Sequence, residues 1–368
     1  MREAIVAEAL DQCYAALSYE DGWTTALDRL AWSVGAQGCS FVNQTSPAQR
    51  LHLPASPRYQ DFVRDFVAEG WAFSDHRAQR GWPKLRGGGK VLIEHDISTE
   101  WERDNLPVYR DLYARHDLYW WATVSFVVDT DLWALSFLRS QAAEPFSRAE
   151  AEQLRALAPD LSRLVRLQRA LTLRKARDLV QTLDGVACAA MVVGPDLAVV
   201  TLNRTAEACL EPDLKVRGGR LIAGRPEVEA ALRQLQSQIR QDAVRHTAGP
   251  IVINRDGSGR PLLIDVVPGS AAFGPNAPGQ HALLVMQDLD RKLEADGQRM
   301  QLIFGFTRTE ALCAERLVYG DTIQAAADHL GIARETARSH LKVLFAKTGT
   351  NRQADLVSLL AQAGTYRR

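Results

Sequence analysis

Between residues 331 and 342 the chain reads GIARETARSHLK. Arg334, Arg338 and Lys342 recur every fourth residue, so on an α-helix they stand one turn apart along one side. Thr336 and Ser339 add hydroxyl groups nearby. A guanidinium offers a planar fork of N–H donors that matches two acceptors on a guanine edge or a phosphate. Ammonium and hydroxyl groups meet phosphate oxygens one at a time. The chemistry open to such a helix is recognition of a polyanion, with no bond made or broken. Ala337, Leu341 and Leu344 follow at i, i+4 and i+7, which gives the same helix an apolar stripe for packing against protein.

Such a helix must be held by others. Thr307 with Glu310 forms a capping box that starts a helix, and Gly320 ends it. A second helix spans about Thr322 to Leu330. Gly331 then turns the chain within three residues. The basic helix starts near Arg334 and ends at Gly349, and a fourth helix follows from Arg352. A short helix, a glycine turn and a longer basic helix make a helix-turn-helix pattern.

The pieces FTRTEA, Gly320, LGIARETARSHL and KTGTNRQADLV together resemble the LuxR/FixJ-type (GerE-like) DNA-binding domain of bacterial regulators, over about 60 residues. The resemblance implies that Arg334, Arg338, Ser339 and Lys342 face the DNA groove. It also implies that Thr336, Lys347, Asn351 and Arg352 touch phosphates. The sequence departs from the family at Ala333, where a serine cap is usual, at Ala325 (glutamate) and at Ala337 (valine). The missing cap weakens the helix start by about 1 kcal/mol. Residues 301–368 carry nine Lys/Arg against six Asp/Glu in a chain whose net charge is zero, so the basic surface is local.

The 368 residues suffice for two or three domains, and a 46% hydrophobic composition excludes a disordered chain. Cys13, Cys39, Cys188, Cys209 and Cys313 are scattered and form no CxxC, which predicts reduced core cysteines. The acidic start MREAIVAEALDQ does not read as a signal peptide. No apolar run approaches a membrane span, so a cytoplasmic protein with no membrane partner is expected.

Residues 1–146 hold all eight tryptophans and six of the eight tyrosines. WWATVSFVVD (120–129) and LWALSFLRS (132–140) read as a hairpin, and GCSFVN (38–43) as a further strand. Helices are predicted at 3–17, 23–34 and 57–69, so this is an α+β domain. It shows no five-fold β/α order with clustered acids, which excludes a receiver domain. GWPKLRGGGK (81–90) fails as a P-loop, because Lys84 replaces its first glycine and Val91 follows the lysine. Around Tyr59, Trp71 and Trp82 the domain is similar to GAF and autoinducer-binding domains. That likeness implies a small-molecule pocket walled by Trp71, Trp101, Tyr109, Tyr113 and Trp121, with Asp75 as an orienting polar group. Asp75-His76 stands where quorum sensors carry Asp-Pro, which speaks against an acyl-homoserine lactone as the ligand. Core packing is the alternative reading of these aromatics.

Residues 147–184 predict a connector helix starting at the Ser147–Glu150 capping box, with Leu154, Leu157, Leu161, Leu164, Leu167 and Leu171 at helical spacing. Two readings stay open: a helix packed on its own domain, or one paired with its twin in a homodimer. Pro159 interrupts the pattern. Residues 185–290 read as two strands around Gly194-Pro195-Asp196, then helices, then three strands with a turn at Asp256-Gly257. This order resembles a PAS domain, and Asn203 stands where many PAS domains carry an asparagine. GSAAFGPNAPGQ (269–280) is predicted as a flexible loop and 291–303 as a linker to the C-terminal domain, 304–368.

The eight histidines form no HxH or HExxH, and no GxSxG or paired catalytic carboxylates stand out. No enzyme activity, metal or cofactor is expected. The predicted architecture is therefore multidomain: two α+β sensor domains, GAF-like and PAS-like, followed by an all-α four-helix helix-turn-helix domain. The resemblance implies a ligand-responsive transcription factor whose partners are double-stranded DNA, an unidentified small molecule, a second copy of the chain and RNA polymerase. The opposing reading is a regulator whose upstream domains bind a partner protein.

Overall fold

The computed structural model of the chain describes residues 3–17, 22–43, 54–194, 196–240, 249–255, 259–273, 281–290 and 295–364. The predicted Asp256-Gly257 turn and Pro195 lie outside them.

The N-terminal unit is built on a four-stranded antiparallel sheet of β1 (Gly38–Asn43), β2 (Val91–Ile93), β3 (Trp120–Val128) and β4 (Asp131–Arg139), in the order β1-β4-β3-β2. The hairpin forms as predicted, with Val128 opposite Asp131. Successive side chains on a strand point to opposite faces. Phe41, Ala122, Val124, Trp133, Leu135 and Phe137 therefore enter one core, with helices Glu3–Ala16, Gly22–Ser33 and the start of the connector. The other face meets helix Pro57–Ala68, helix His76–Arg86 and the Tyr109–Tyr113 turn in a second, aromatic core. Because both faces are covered, the strands read as nearly unbroken apolar runs in sequence.

The connector is two helices, Arg148–Arg155 and Ala158–Gly185. Pro159 sits in the first turn of the second, where a missing N–H costs nothing. Leu154, Leu157, Leu161 and Leu164 are buried in the N-terminal unit's own core, while Leu167 is exposed. The same helix goes on to pack Ala176 and Val180 against a second sheet. One continuous helix thus touches both α+β units.

That sheet holds β5 (Ala189–Val193), β6 (Val199–Leu202), β9 (Ile251–Ile253), β10 (Leu262–Pro268) and β11 (Ala282–Asp288), all antiparallel, in the order β6-β5-β11-β10-β9. Met191 and Val193 face one core, Ala190 and Val192 the connector. Asn203 joins three parts. Its Oδ1 accepts from Ala206 N (2.8 Å), capping helix Arg204–Leu210, and from Ala190 N (3.1 Å). Its Nδ2 donates to Cys188 O (2.7 Å) and to Val180 O (3.3 Å) on the connector.

Three sequence expectations change. A hairpin of β7 (Leu214–Arg217) and β8 (Arg220–Ala223) turns through Gly218 and Gly219, both at positive φ. The loop predicted at 269–280 begins as helix Gly269–Phe273, because Phe273 is buried against the connector side of the sheet; 274–280 lie outside the described residues. The linker predicted at 291–303 contains helix Gly297–Phe304. Its Met300 is fully buried among Phe306, Ala314, Leu317 and Leu360, so it belongs to the C-terminal unit. That unit therefore shows five helices among the described residues: Gly297–Phe304, Arg308–Val318, Ile323–Leu330, Arg334–Thr348 and Gln353–Gly364. No described helix is long and apolar enough to cross a membrane.

Candidate ligand cleft and nucleic-acid interface

On its aromatic side the first sheet does not close completely. A cleft with about 690 Å³ of unfilled space, its open mouth included, lies between the strands and two helices. The floor is Ser40, Val42, Trp121, Thr123, Ala134 and Ser136, alternate residues of β1, β3 and β4. Small and hydroxyl side chains at these positions leave room that Leu or Phe would fill. Tyr59, Phe62, Val63 and Phe66 of helix Pro57–Ala68 form one wall. Arg77, Ala78, Gly81, Trp82 and Leu85 of helix His76–Arg86 form the other, with Asp75 and Tyr113 at the edge.

Of the six residues expected to wall a pocket, the cleft contains Asp75, Tyr113 and Trp121. Three do not line it. Trp101 lies on helix Glu100–Asn105, which buries nothing, and is 68% exposed. Trp71 turns its indole N–H to Glu69 (3.0 Å). Tyr109 is fully buried behind the wall, where its hydroxyl donates to Glu94. Asp75 has a structural task as well: its carboxylate caps helix His76–Arg86, accepting from Ala78 N at 3.0 Å.

Arg77 was not legible as a site residue. It is buried beside Glu94, with Nη2–Oε2 at 2.9 Å and Nε–Oε2 at 3.1 Å, and it donates to the carbonyl of Tyr119. Its guanidinium stacks 3.7 Å from the centre of the Tyr113 ring, a cation–π contact. Burial opposes the charge of Arg77, but the Glu94 carboxylate outweighs it and the pKa is raised. Glu94 also accepts from Ser98 (3.3 Å), and His76 Nε2 lies 2.9 Å from the Ser98 hydroxyl. Burial, then the charge of Arg80, lower the pKa of His76.

The hydroxyls of the cleft floor are spent on the protein. Trp121 Nε1 donates to Ser136 (3.2 Å), Ser136 and Thr123 share a bond at 3.1 Å, and Thr123 donates to Leu135 O (3.2 Å). Ser40 donates to Phe41 O at 3.0 Å.

In the C-terminal unit Gly331 adopts the left-handed conformation (φ 64°), and Ile332 N returns to Ala327 O at 3.1 Å. This closes helix Ile323–Leu330 and aims the chain into helix Arg334–Thr348. Ala333 makes no side-chain cap, as its sequence implies. Ala337 and Leu344 are fully buried and Leu341 partly so. Arg334, Thr336, Arg338, Ser339 and Lys342 are exposed on the same helix, and Asn351 and Arg352 just beyond it. Arg338 rests 3.0 Å from Glu335. Lys347 is engaged within the protein, 2.7 Å from both Glu310 Oε2 and Gly305 O. Among the described residues no group of three or more His, Cys, Asp or Glu could hold a metal ion.

No family model matches the chain, and no curated protein matches it. Solved structures do. One is the N-acylhomoserine-lactone-dependent LuxR-family transcription factor CepR2 of Burkholderia cenocepacia, 15% identical over 44% of this chain and 93% of that one, with a TM-score of 0.32. The ligand-binding domain of VqsR from Pseudomonas aeruginosa is 14% identical over 43% of this chain and 92% of that one, with a TM-score of 0.28. SdiA of Escherichia coli is 11% identical over 97% of both chains, with a TM-score of 0.29.

Proposed function

We propose that the chain is a ligand-responsive transcription regulator. A small molecule occupies the cleft of the N-terminal unit, and helix Arg334–Thr348 lies in the major groove of double-stranded DNA. The observation that carries this reading is the basic helix itself. It buries Ala337 and Leu344 behind a glycine turn and leaves Arg334, Thr336, Arg338, Ser339 and Lys342 exposed. A solvated surface helix has no need of so many forked and hydroxyl donors on one short element. Arg338 and Lys342 reach base edges; Thr336, Asn351 and Arg352 hold phosphates. Lys347 joins them when the DNA draws it from Glu310.

A single unit this small grips one half-site weakly, so a homodimer on a two-fold site is the working form. The N-terminal unit is GAF-like. The middle one is PAS-like, a reading supported by its two strands, helices, then three strands in one antiparallel sheet. Ligand binding favours one dimer geometry over another and so sets the spacing of the two basic helices. RNA polymerase is then contacted at the promoter in the cytoplasm, with no catalytic step and no cofactor. Phe73, 84% exposed, and Trp101, 68% exposed, favour a second reading in which the N-terminal unit docks a partner protein.

Native mass spectrometry of the full-length chain, set beside its denatured mass, separates the two. The first reading gives a dimer carrying a small extra mass that denaturation removes. Selection from a random DNA pool tests the groove assignment, and failure to enrich any sequence would overturn it.

A further inference from the structure

Helix Arg334–Thr348 carries an acid where a polyanion is expected. The inference rests on the reading that this helix lies in the major groove. An α-helix turns by about 100° per residue. Ala337, Leu341 and Leu344 mark the side turned to the protein. Half a turn away stand Glu335, Ser339, Lys342 and Ala346, all exposed, with Arg334 and Arg338 on one flank. Ala346 has no polar side-chain atom, and the Ser339 hydroxyl donates back to Glu335 O at 3.0 Å. Glu335 and Lys342 are thus the charged groups at the centre of the outward face.

A carboxylate in the first turn favours the helix dipole, and Ala333 supplies no cap here. That task is served as well at Arg334 or Thr336, off the centre of the face. On a surface that meets DNA, a carboxylate is repelled by phosphate and needs a donor. The major groove offers two, the amino groups of cytosine and adenine. Adenine sets the acceptor N7 beside its amino group, and its partner thymine adds the acceptor O4. Cytosine has guanine O6 beside its amino group, an acceptor suited to arginine.

The geometry of the side chains fits the second case. Glu335 Oε1 lies 3.0 Å from Arg338 Nη1, and Glu335 is 79% exposed. Guanine O6 and cytosine N4 are hydrogen-bonded across their base pair, so they too stand about 2.9 Å apart. The protein pair therefore presents a donor and an acceptor at the spacing of the base pair's acceptor and donor.

We propose that Glu335 reads sequence: with Arg338 it recognises one G·C base pair whole. Arg338 donates to guanine, and Glu335 accepts from the cytosine amino group. In the free chain the two side chains satisfy each other, and on DNA each exchanges the other for its base. An A·T pair presents the reverse order, an amino group toward the arginine and O4 toward the carboxylate. Glu335 is thus a specificity-determining residue.

The test uses the full-length protein and the operator it selects from a random DNA pool. Competition binding then compares every single-base-pair variant of that operator. Wild type should need one G·C pair in each half-site, and A·T there should weaken binding by at least about tenfold. Glu335→Ala should cut that ratio by about fivefold or more, while its affinity for non-specific DNA holds or rises with the loss of a negative charge. Glu335→Gln keeps an acceptor for cytosine and should retain part of the ratio. Arg338→Ala should relax the same base pair. An unchanged ratio in Glu335→Ala overturns the inference while the groove assignment stands. So does a uniform loss across all operator variants, the mark of a helix-stabilising charge alone. Relaxation at a base pair other than the one Arg338→Ala relaxes overturns it as well. Failure of wild type to enrich any sequence overturns the groove assignment itself.

Discussion

The ammonium of Lys347 lies 2.7 Å from the carboxylate of Glu310, joining the last turn of helix Arg334–Thr348 to the first turn of helix Arg308–Val318. The same carboxylate accepts from Thr307 N at 2.8 Å, so one group serves both the helix cap and the ion pair. The Lys347 bond holds the Glu310 carboxyl below its ordinary pKa. Lys347→Met should destabilise the C-terminal unit by about 2 kcal/mol, the usual worth of a hydrogen bond to a charged group. Glu310→Gln should act similarly, and the double variant should cost less than the sum of the two. Calorimetry of the three variants checks this. An unchanged melt in Lys347→Met would leave the residue a phosphate contact alone.

Arg338 should read bases and Arg352 should not. In the free chain Arg338 is held loosely by Glu335, one turn back on an exposed face. Such a pair is worth under about 1 kcal/mol and yields readily to a guanine edge. Arg338→Ala should cost about 1–3 kcal/mol at one operator position and flatten base preference there. Arg352→Ala should weaken every sequence alike and lower the salt slope by about one. Binding to a library of single-base operator variants at two salt concentrations separates the outcomes.

Asp75 combines a helix cap with a place at the cleft, and the two roles part on substitution. Asparagine retains a cap oxygen for Ala78 N; alanine does not. Asp75→Ala should lose about 1 kcal/mol of stability, and Asp75→Asn only a few tenths. Thermal melts of both variants, beside titration of a probe of the cleft, check this; equal losses of stability in the two would remove the cap as cause.

What the sequence revealed follows from the range of the forces. The glycine turn, the Thr307–Glu310 capping box and the apolar stripe of the C-terminal unit are local, and each stands where its residues imply. Three strands of the first sheet, β1, β3 and β4, were also legible, because hydrophobic runs and the Asp129–Asp131 turn are local signals; the three-residue β2 was too short to read. The cleft was not. Aromatic density pointed to Trp71, Trp101 and Tyr109, but which face of a short helix is buried depends on distant strands. The usable signal was small and hydroxyl residues at alternate strand positions: Thr123 on β3, Ala134 and Ser136 on β4. Arg77 gave no signal at all, since its partner Glu94 is 17 residues away. Helix Gly297–Phe304 was missed because charged neighbours masked its one large buried side chain, Met300.

Acid should loosen the root of the connector. Burial alone would raise the Glu150 carboxyl, but hydrogen bonds from Arg139 and Ser147 outweigh it and lower the pKa from 4.5 to about 2. Arg139 lies 2.6 Å from Glu150 and also donates to Gly35 O at 3.0 Å, so the pair ties the connector to the sheet. A carboxyl depressed on folding stabilises the fold fully above its unfolded pKa, and that contribution fades as pH falls from about 4.5 toward 2. Glu150→Gln should be less stable than wild type at neutral pH, with the difference shrinking over this window. Melting curves from pH 7 to pH 2 test it, and a difference independent of pH would remove the ion pair as cause.

Arg148 gives the cleft a physical route to the connector. Its Nη1 lies 2.9 Å from Asp96, and a second arm bonds the same carboxylate. Asp96 shares the short helix Glu94–Ile97 with Glu94, the residue that holds Arg77 at the cleft. A shift of Arg77 on ligand binding therefore moves a helix bonded to the first residue of Arg148–Arg155, which leads into Ala158–Gly185. A route earns its name only if it biases two states, so the measurable quantity is coupling rather than either affinity alone. Arg148→Ala should leave probe binding at the cleft and DNA binding within about twofold of wild type, because the residue touches neither site. The effect of the cleft ligand on DNA affinity should fall by about 1 kcal/mol, a typical share of such coupling. Operator titrations with and without ligand, on wild type and variant, give this directly. Undiminished coupling in Arg148→Ala would move the route to the sheet itself, through the Arg139–Glu150 pair or β3.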